Sequence, residues 1–332
     1  MIINKSDHFG VSHHMKKSII TLMLALSACT PKDWHHNSDN IYFEGYRKSN
    51  TLDTKEAYVN LSELVEMAVL SAASYQRDDS LDLDCGASKY KLLNYKNLPQ
   101  LTVNHKHKNF HWDVPGLRYR IWLNETASKQ KIVVAFRGTD GIGGWVSNFR
   151  VLQSFLPFVN DHYEQVREIT PRIIRNIKKA YPTAELIATG HSLGGGLAEQ
   201  AAYWGNGSRE ESKEPSGETF SKVYGFNPSI VTGRFTTDER IVKNATFDLN
   251  VYRIFERGDL LQTFSLLLNN FVPLGQENPR VSEVIFNFNS NRDGTQSSGD
   301  HSINRLSCNL ADAFHNLPGT AVVARENADD HS

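Results

Sequence analysis

An excess of either charge is missing from this chain: 36 lysines and arginines stand against 37 aspartates and glutamates, a formal net charge of −1. That balance leaves no electrostatic footprint for nucleic acid. Cysteine is scarce, with three in 332 residues, so one pair at most can form. No internal repeat is visible, and the apolar run near the start, Ser18 to Leu26, is too short to cross a bilayer as a stable helix. Support for a metal site is also thin. His105, His107 and His111 have lysines between them and no cysteine nearby, the pattern of a solvated surface. No metal and no cofactor are expected. What the chain does have is a hydrophobic content of 39%, enough over this length for one full core.

The N-terminal segment speaks to the compartment. Met15-Lys16-Lys17 supplies a basic start, the apolar run follows, and Leu26-Ser27-Ala28-Cys29 closes it with small residues. This resembles a bacterial lipoprotein signal, in which Cys29 would be lipidated and become the new N-terminus. Residues 1–28 are then the signal, with 1–14 an extension or Met15 the true start; an ordinary cleaved signal is the alternative. Thr30, in place of an aspartate after the cysteine, fits the sorting pattern for the outer membrane of a bacterial cell envelope. The expected partner there is the membrane surface, reached through the lipid. With Cys29 lipidated, Cys85 and Cys308 remain, open as a disulfide or as two free thiols. Residues 29–54, rich in His, Asn, Ser and Lys, read as a flexible tether, and 55–332 as the folded domain.

Within that domain, apolar residues recur at helical spacing over Leu61–Tyr75, predicting an amphipathic helix over one sheet face. Tyr119–Leu123 and Ile132–Phe136 read as neighbouring strands, the second apolar throughout and therefore central. Residues 161–180 carry a helical stripe from Tyr163 to Ile177, which Pro171 must start, kink or split. Strands are expected at 184–189, 222–226, 250–255 and 281–288, and helices at 197–203 and 303–314. Strands alternating with helices predict an α/β fold with a mainly parallel central sheet covered on both faces.

The strand at 184–189 runs into Gly190-His191-Ser192-Leu193-Gly194-Gly195. Gly-x-Ser-x-Gly between strand and helix reads as a nucleophile elbow, with glycines two residues either side of Ser192 because a Cβ there would collide with its neighbours. The following helix aims its N-terminal dipole at the site of developing negative charge. A serine hydroxyl needs a base to take its proton and an acid to orient that base. In α/β-hydrolase order these follow the serine. Asp259, a short turn beyond the strand 250–255, is the candidate acid, with Glu256 and Asp248 as competitors. His301, between a polar loop and the closing helix, is the candidate base; His315 is the other histidine before the extreme tail. The oxyanion donors would be the Leu193 N–H and Thr139, in a turn after Phe136.

Val134-Ala135-Phe136-Arg137-Gly138-Thr139-Asp140, Trp145, the 190–195 motif, Asp259 and His301 together resemble the class 3 lipase family. The resemblance implies an α/β-hydrolase that cleaves acyl esters of glycerolipids, with Ser192, Asp259 and His301 as its triad and Thr139 with Leu193 as its oxyanion hole. It also implies a lid at Gly141–Phe149, where Trp145, Val146 and Phe149 supply an apolar face; core packing of these three remains open. Gly258-Asp259-Leu260-Leu261 lacks the proline often found after the family's acid. Phospholipid is the expected substrate, since a lipid anchor would hold the enzyme at a bilayer. A carboxylesterase on soluble esters and a catalytically silent lipid-binding envelope lipoprotein are the alternatives.

Overall fold

The computed structural model describes residues 42–48, 60–86, 88–103, 117–126, 130–138, 149–207, 220–229, 241, 245, 249–256, 259, 281–288 and 302–324, with backbone alone for 42–48, 149–161 and 287. All of them lie in Ile41–Ser332, one of two compact units into which the chain divides. The expected signal, Cys29, the histidines at 105, 107 and 111, Thr139, Trp145, Val146 and His301 fall outside the described residues.

Among the described residues, eight strands form the main sheet. Its centre is parallel: β6 (Lys131–Phe136), β7 (Glu185–His191), β8 (Phe220–Phe226), β9 (Asn250–Glu256) and β10 (Val281–Asn287) pair side by side in chain order. β5 (Tyr119–Asn124) and then β4 (Tyr95–Asn97) extend one edge in antiparallel sense. On the other edge β1 (Tyr42–Lys48) pairs antiparallel with β10. This corrects the tether reading over 42–48. Composition pointed to a solvated segment, but Tyr42-Phe43-Glu44-Gly45-Tyr46 is rich in the aromatic residues that suit a sheet edge. A smaller sheet joins β2 (Asp82–Cys85), β3 (Ser88–Leu92) and β11 (Val322–Ala324).

Alternation along the strands splits the core into two layers. Ile132, Val134, Phe136, Leu186 and Ala188 face one side, where α2 (Phe149–Ala180) contributes Tyr163, Val166, Ile169 and Ile177, and α3 (Leu193–Gly207) contributes Leu197 and Ala201. Val133, Ala135 and Ile187 face the other, under α1 (Leu61–Ala73) and α4 (Ile303–Phe314). A parallel sheet with helices on both faces, and a serine at the β7–α3 turn, is the architecture of an α/β-hydrolase. Each fully buried large apolar side chain in these layers stabilises the fold by roughly 1.5–3 kcal/mol.

Two helices depart from expectation. α1 is buried on every side from Glu63 to Ala73, because α4 covers the face turned away from the sheet; the Ser307 hydroxyl of α4 donates to the Ala68 carbonyl at 3.0 Å. α2 begins at Phe149 and runs through Pro171 without interruption. Pro171 lies on the exposed side, and the buried stripe from Tyr163 to Ile177 holds the helix on both sides of it. Cys85 of β2 and Cys308 of α4 form a disulfide across 223 residues of sequence. Closing a loop of that length removes disorder from the unfolded chain worth on the order of 5 kcal/mol.

At the sheet edge where the parallel strands begin, Glu63 is almost fully buried and accepts from Lys131 Nζ at 2.8 Å, Lys222 Nζ at 2.7 Å and the Tyr224 hydroxyl at 2.7 Å. Burial pushes its carboxyl up, but Lys222 and Lys131 outweigh that and hold it below its ordinary 4.5. A depressed folded-state value contributes stability above the ordinary value that is lost as pH falls through the depressed one. Glu63→Gln is therefore expected to cost about 3 kcal/mol at neutral pH. In thermal denaturation the gap from the wild type should narrow steadily below pH 4.5; a gap independent of pH would refute the ionic account.

Candidate active site

Parallel strands bring their carboxyl ends to one edge, and the segments leaving β6, β7, β8 and β9 meet there. Ser192 follows β7 directly and precedes the first residue of α3. Its φ of +57° lies in the left-handed region, which a non-glycine residue adopts at a cost and which marks a functional constraint. Hydrogen bonds hold it there: the Ser192 N–H donates to Phe226 O at 3.0 Å, and its carbonyl accepts from Gly195 N at 3.0 Å and Ser229 N at 2.9 Å. Ser192 is 3% exposed.

The flanking glycines are required by close approach. A Cβ on Gly190 would lie 2.3 Å from Gly194 O, and one on Gly194 would lie 2.3 Å from Phe136 O and 2.8 Å from Gly138 N. The turn is thus pressed against the end of β6, where the expected oxyanion loop starts. Leu193, the other expected donor, is the first residue of α3 and packs partly against the core. Phe149, from the expected lid, opens α2.

Tyr75 secures this junction. Its hydroxyl accepts from the Gly138 N–H at 3.0 Å and lies 3.3 Å from His191 Nδ1, and the Arg137 guanidinium sits over its ring at 5.5 Å. The helix that ends just before Tyr75 was legible in the sequence, but this bridge was not, since nothing local ties residue 75 to 138 or 191. His191 turns its ring to Tyr75, packing edge-on against it and hydrogen-bonding its hydroxyl.

Asp259 is 1% exposed and its N–H donates to Glu256 O at 3.1 Å, in a turn just past β9. Its competitor Glu256 is also buried, its Oε1 accepting from Asn309 Nδ2 of α4 at 3.3 Å. Neither is a solvated surface carboxylate. Asp248 is outside the described residues. His315 caps the far end of α4, its Nδ1 2.9 Å from Ala311 O and its ring 5.1 Å from that of Tyr90, a structural setting at the opposite end of the helix from residue 301. Ser302, which follows residue 301, is the α4 N-cap; its hydroxyl accepts from Arg305 N.

Beneath the serine lies a buried ionic group. Arg253 of β9 donates through Nε to Glu199 of α3 at 3.0 Å and through Nη1 to Glu283 of β10 at 3.3 Å, while Nη2 reaches Ser229 O at 3.4 Å. Asn227, at a φ of +40°, donates its N–H to Ile254 O at 2.7 Å and accepts from Glu256 N at 2.9 Å. The Asn-Pro pair after β8 signals a turn in the sequence, since asparagine tolerates left-handed backbone, but its two bonds to β9 carry no local signal.

Residues 66–210, the stretch from α1 through α3 that holds the elbow, match the family model described as phospholipase-like, a Tle-like phospholipase domain. Asp259 and His301 lie beyond the matched stretch. A secreted mono- and diacylglycerol lipase of Fusarium solani is 31% identical over 86 residues, which cover 23% of this chain and 26% of that protein, about a quarter of its length. Among solved structures, a lipase of Rhizopus microsporus var. chinensis aligns at 18% identity and a TM-score of 0.37, covering 63% of this chain and 72% of that one. The native Rhizomucor miehei lipase propeptide complex aligns at 18% identity and a TM-score of 0.39, covering 74% and 73%.

Because Gly194 touches backbone, no side chain can move aside to admit a methyl group. Gly194→Ala is expected to destabilise the protein by about 1–3 kcal/mol and to reduce any Ser192-dependent turnover in the surviving folded fraction. Thermal melts together with activity per folded molecule check this, and a variant that melts and turns over like the wild type would show the contact to be slack.

Proposed function

We propose that this protein is a serine hydrolase that cleaves acyl esters of glycerolipids, phospholipids foremost. The observation that carries the reading is Ser192, held at positive φ between a central parallel strand and a helix N-terminus. Ser192 Oγ attacks the ester carbonyl as His301 takes its proton, and Asp259 orients the imidazole and stabilises its charge. The tetrahedral oxyanion is met by the Leu193 N–H and by Thr139, each such donor worth roughly 3–4 kcal/mol in the transition state. Collapse breaks the ester bond, and the leaving alcohol receives the proton from His301. Water then attacks the acyl-enzyme with His301 again as base, releasing the fatty acid and restoring Ser192.

The preference for phospholipid is supported by the phospholipase-like match across the elbow. The N-terminal pattern around Cys29 supports a lipid anchor at the outer membrane, which would keep the enzyme on a bilayer. Apolar residues in 141–149, Trp145, Val146 and Phe149 among them, would serve as a lid that docks on lipid.

Ser192→Ala is expected to abolish both ester hydrolysis and labelling by a fluorophosphonate probe, with far-UV circular dichroism unchanged. Incubating the wild type with vesicles of defined phospholipids and, separately, with emulsified neutral glycerides, then identifying products by mass spectrometry, tests the substrate class. Free fatty acid and lysophospholipid from the vesicles support the reading; turnover that survives Ser192→Ala overturns it, and hydrolysis of soluble esters alone would shift it to a carboxylesterase.

A further inference from the structure

Glu256 ends β9 with none of its surface exposed. A buried carboxylate is unfavourable unless its surroundings hold it, and the mechanism above does not use it. Among the described residues its bonds reach three separate parts of the chain. Through its N–H it donates to the Asn227 side chain at 2.9 Å. Asn227 heads the segment Asn227-Pro228-Ser229, whose last N–H donates to the carbonyl of Ser192 at 2.9 Å. Through its own carbonyl Glu256 accepts the N–H of Asp259 at 3.1 Å, closing the turn that carries the acid. Through Oε1 it accepts Asn309 Nδ2 at 3.3 Å, on the helix whose N-cap Ser302 follows His301.

We infer that Glu256 is a positioning residue of the hydrolase site: it fixes α4, and with it His301, against the acid turn and the serine elbow. The inference rests on the triad reading above. Leu306 and Leu310 pack α4 on α1, and the Ser307–Ala68 hydrogen bond and the Cys85–Cys308 disulfide hold it to α1 and to the small sheet. The Glu256–Asn309 bond adds a directional link from α4 to the end of β9, and so to the turn that carries Asp259. A shift of about 1 Å in a catalytic group is enough to cost on the order of a hundredfold in rate, so a modest displacement of the start of α4 relative to the acid turn is sufficient to slow proton transfer.

The test compares steady-state kinetics of purified variants, with kcat expressed per site titrated by fluorophosphonate so that misfolded protein does not count. Asn309→Ala, on the partly buried side of α4, removes the donor with little risk to folding and is expected to lower kcat about tenfold or more with KM unchanged within about twofold. Glu256→Ala should do the same, and the double variant should lose no more than the worse single one, since both act on one bond. Exchanging the groups, Glu256→Gln with Asn309→Asp, restores a donor facing an acceptor and should recover most of the lost kcat. Unchanged kcat in Asn309→Ala overturns the inference, as do multiplying losses in the double variant. Loss in Glu256→Gln as deep as in Asp259→Asn also overturns it, because Glu256 would then be the acid of the triad. Each of these leaves Ser192 as nucleophile, whereas activity in Ser192→Ala would fail the underlying reading instead.

Discussion

Backbone meeting backbone without a side chain between them is the constraint on which this structure depends. Gly190 and Gly194 let the β7–α3 turn lie directly on the carboxyl end of β6. Ser192 is consequently forced into a left-handed conformation that few residues other than glycine occupy, and its hydrogen bonds to the Phe226 carbonyl and from the Gly195 and Ser229 N–H groups hold it there. The strain is tolerated because the parallel sheet and its two apolar layers surround the turn on both faces.

The rest of the site is assembled from polar bridges that cross between elements. Tyr75, from the end of α1, ties Gly138 to His191. Arg253 joins α3, β9 and β10 beneath the serine and also reaches Ser229. Asn227 joins the end of β8 to β9. Arg253 and Asn227 are buried and Tyr75 is half-buried, so each buried polar atom is a demand that a particular neighbour be in a particular position. Apolar layers make the fold compact, and these bridges make the edge of the sheet specific.

Signals confined to a short stretch of chain were readable in advance. The elbow, the apolar strand 132–136, the helix from Ile303 to Phe314 and the general α/β plan all rest on local patterns of spacing and size. What escaped was set by tertiary contact. α1 reads as amphipathic from the spacing of its apolar residues, yet Glu63 and Glu66 are buried, one against lysines and the other accepting from Tyr95 at 2.7 Å. Pro171 looked like a boundary because a missing N–H weakens a helix locally, while the flanking isoleucines hold both halves on the core. β1 was hidden within a polar composition, since edge pairing with β10 is decided by a partner some 240 residues away. The link between Glu256 and Asn309 spans 53 positions and has no signature that either residue carries alone.

The disulfide between Cys85 and Cys308 has a topological consequence. It turns everything from the first small-sheet strand to the closing helix into a covalent ring, containing the elbow, the acid turn and residue 301. A single peptide bond cut anywhere in that ring yields two polypeptides that remain joined. Such a nicked molecule keeps its mass until a thiol reductant separates the fragments, so limited proteolysis in a loop leaves the two pieces of the site bound to one another.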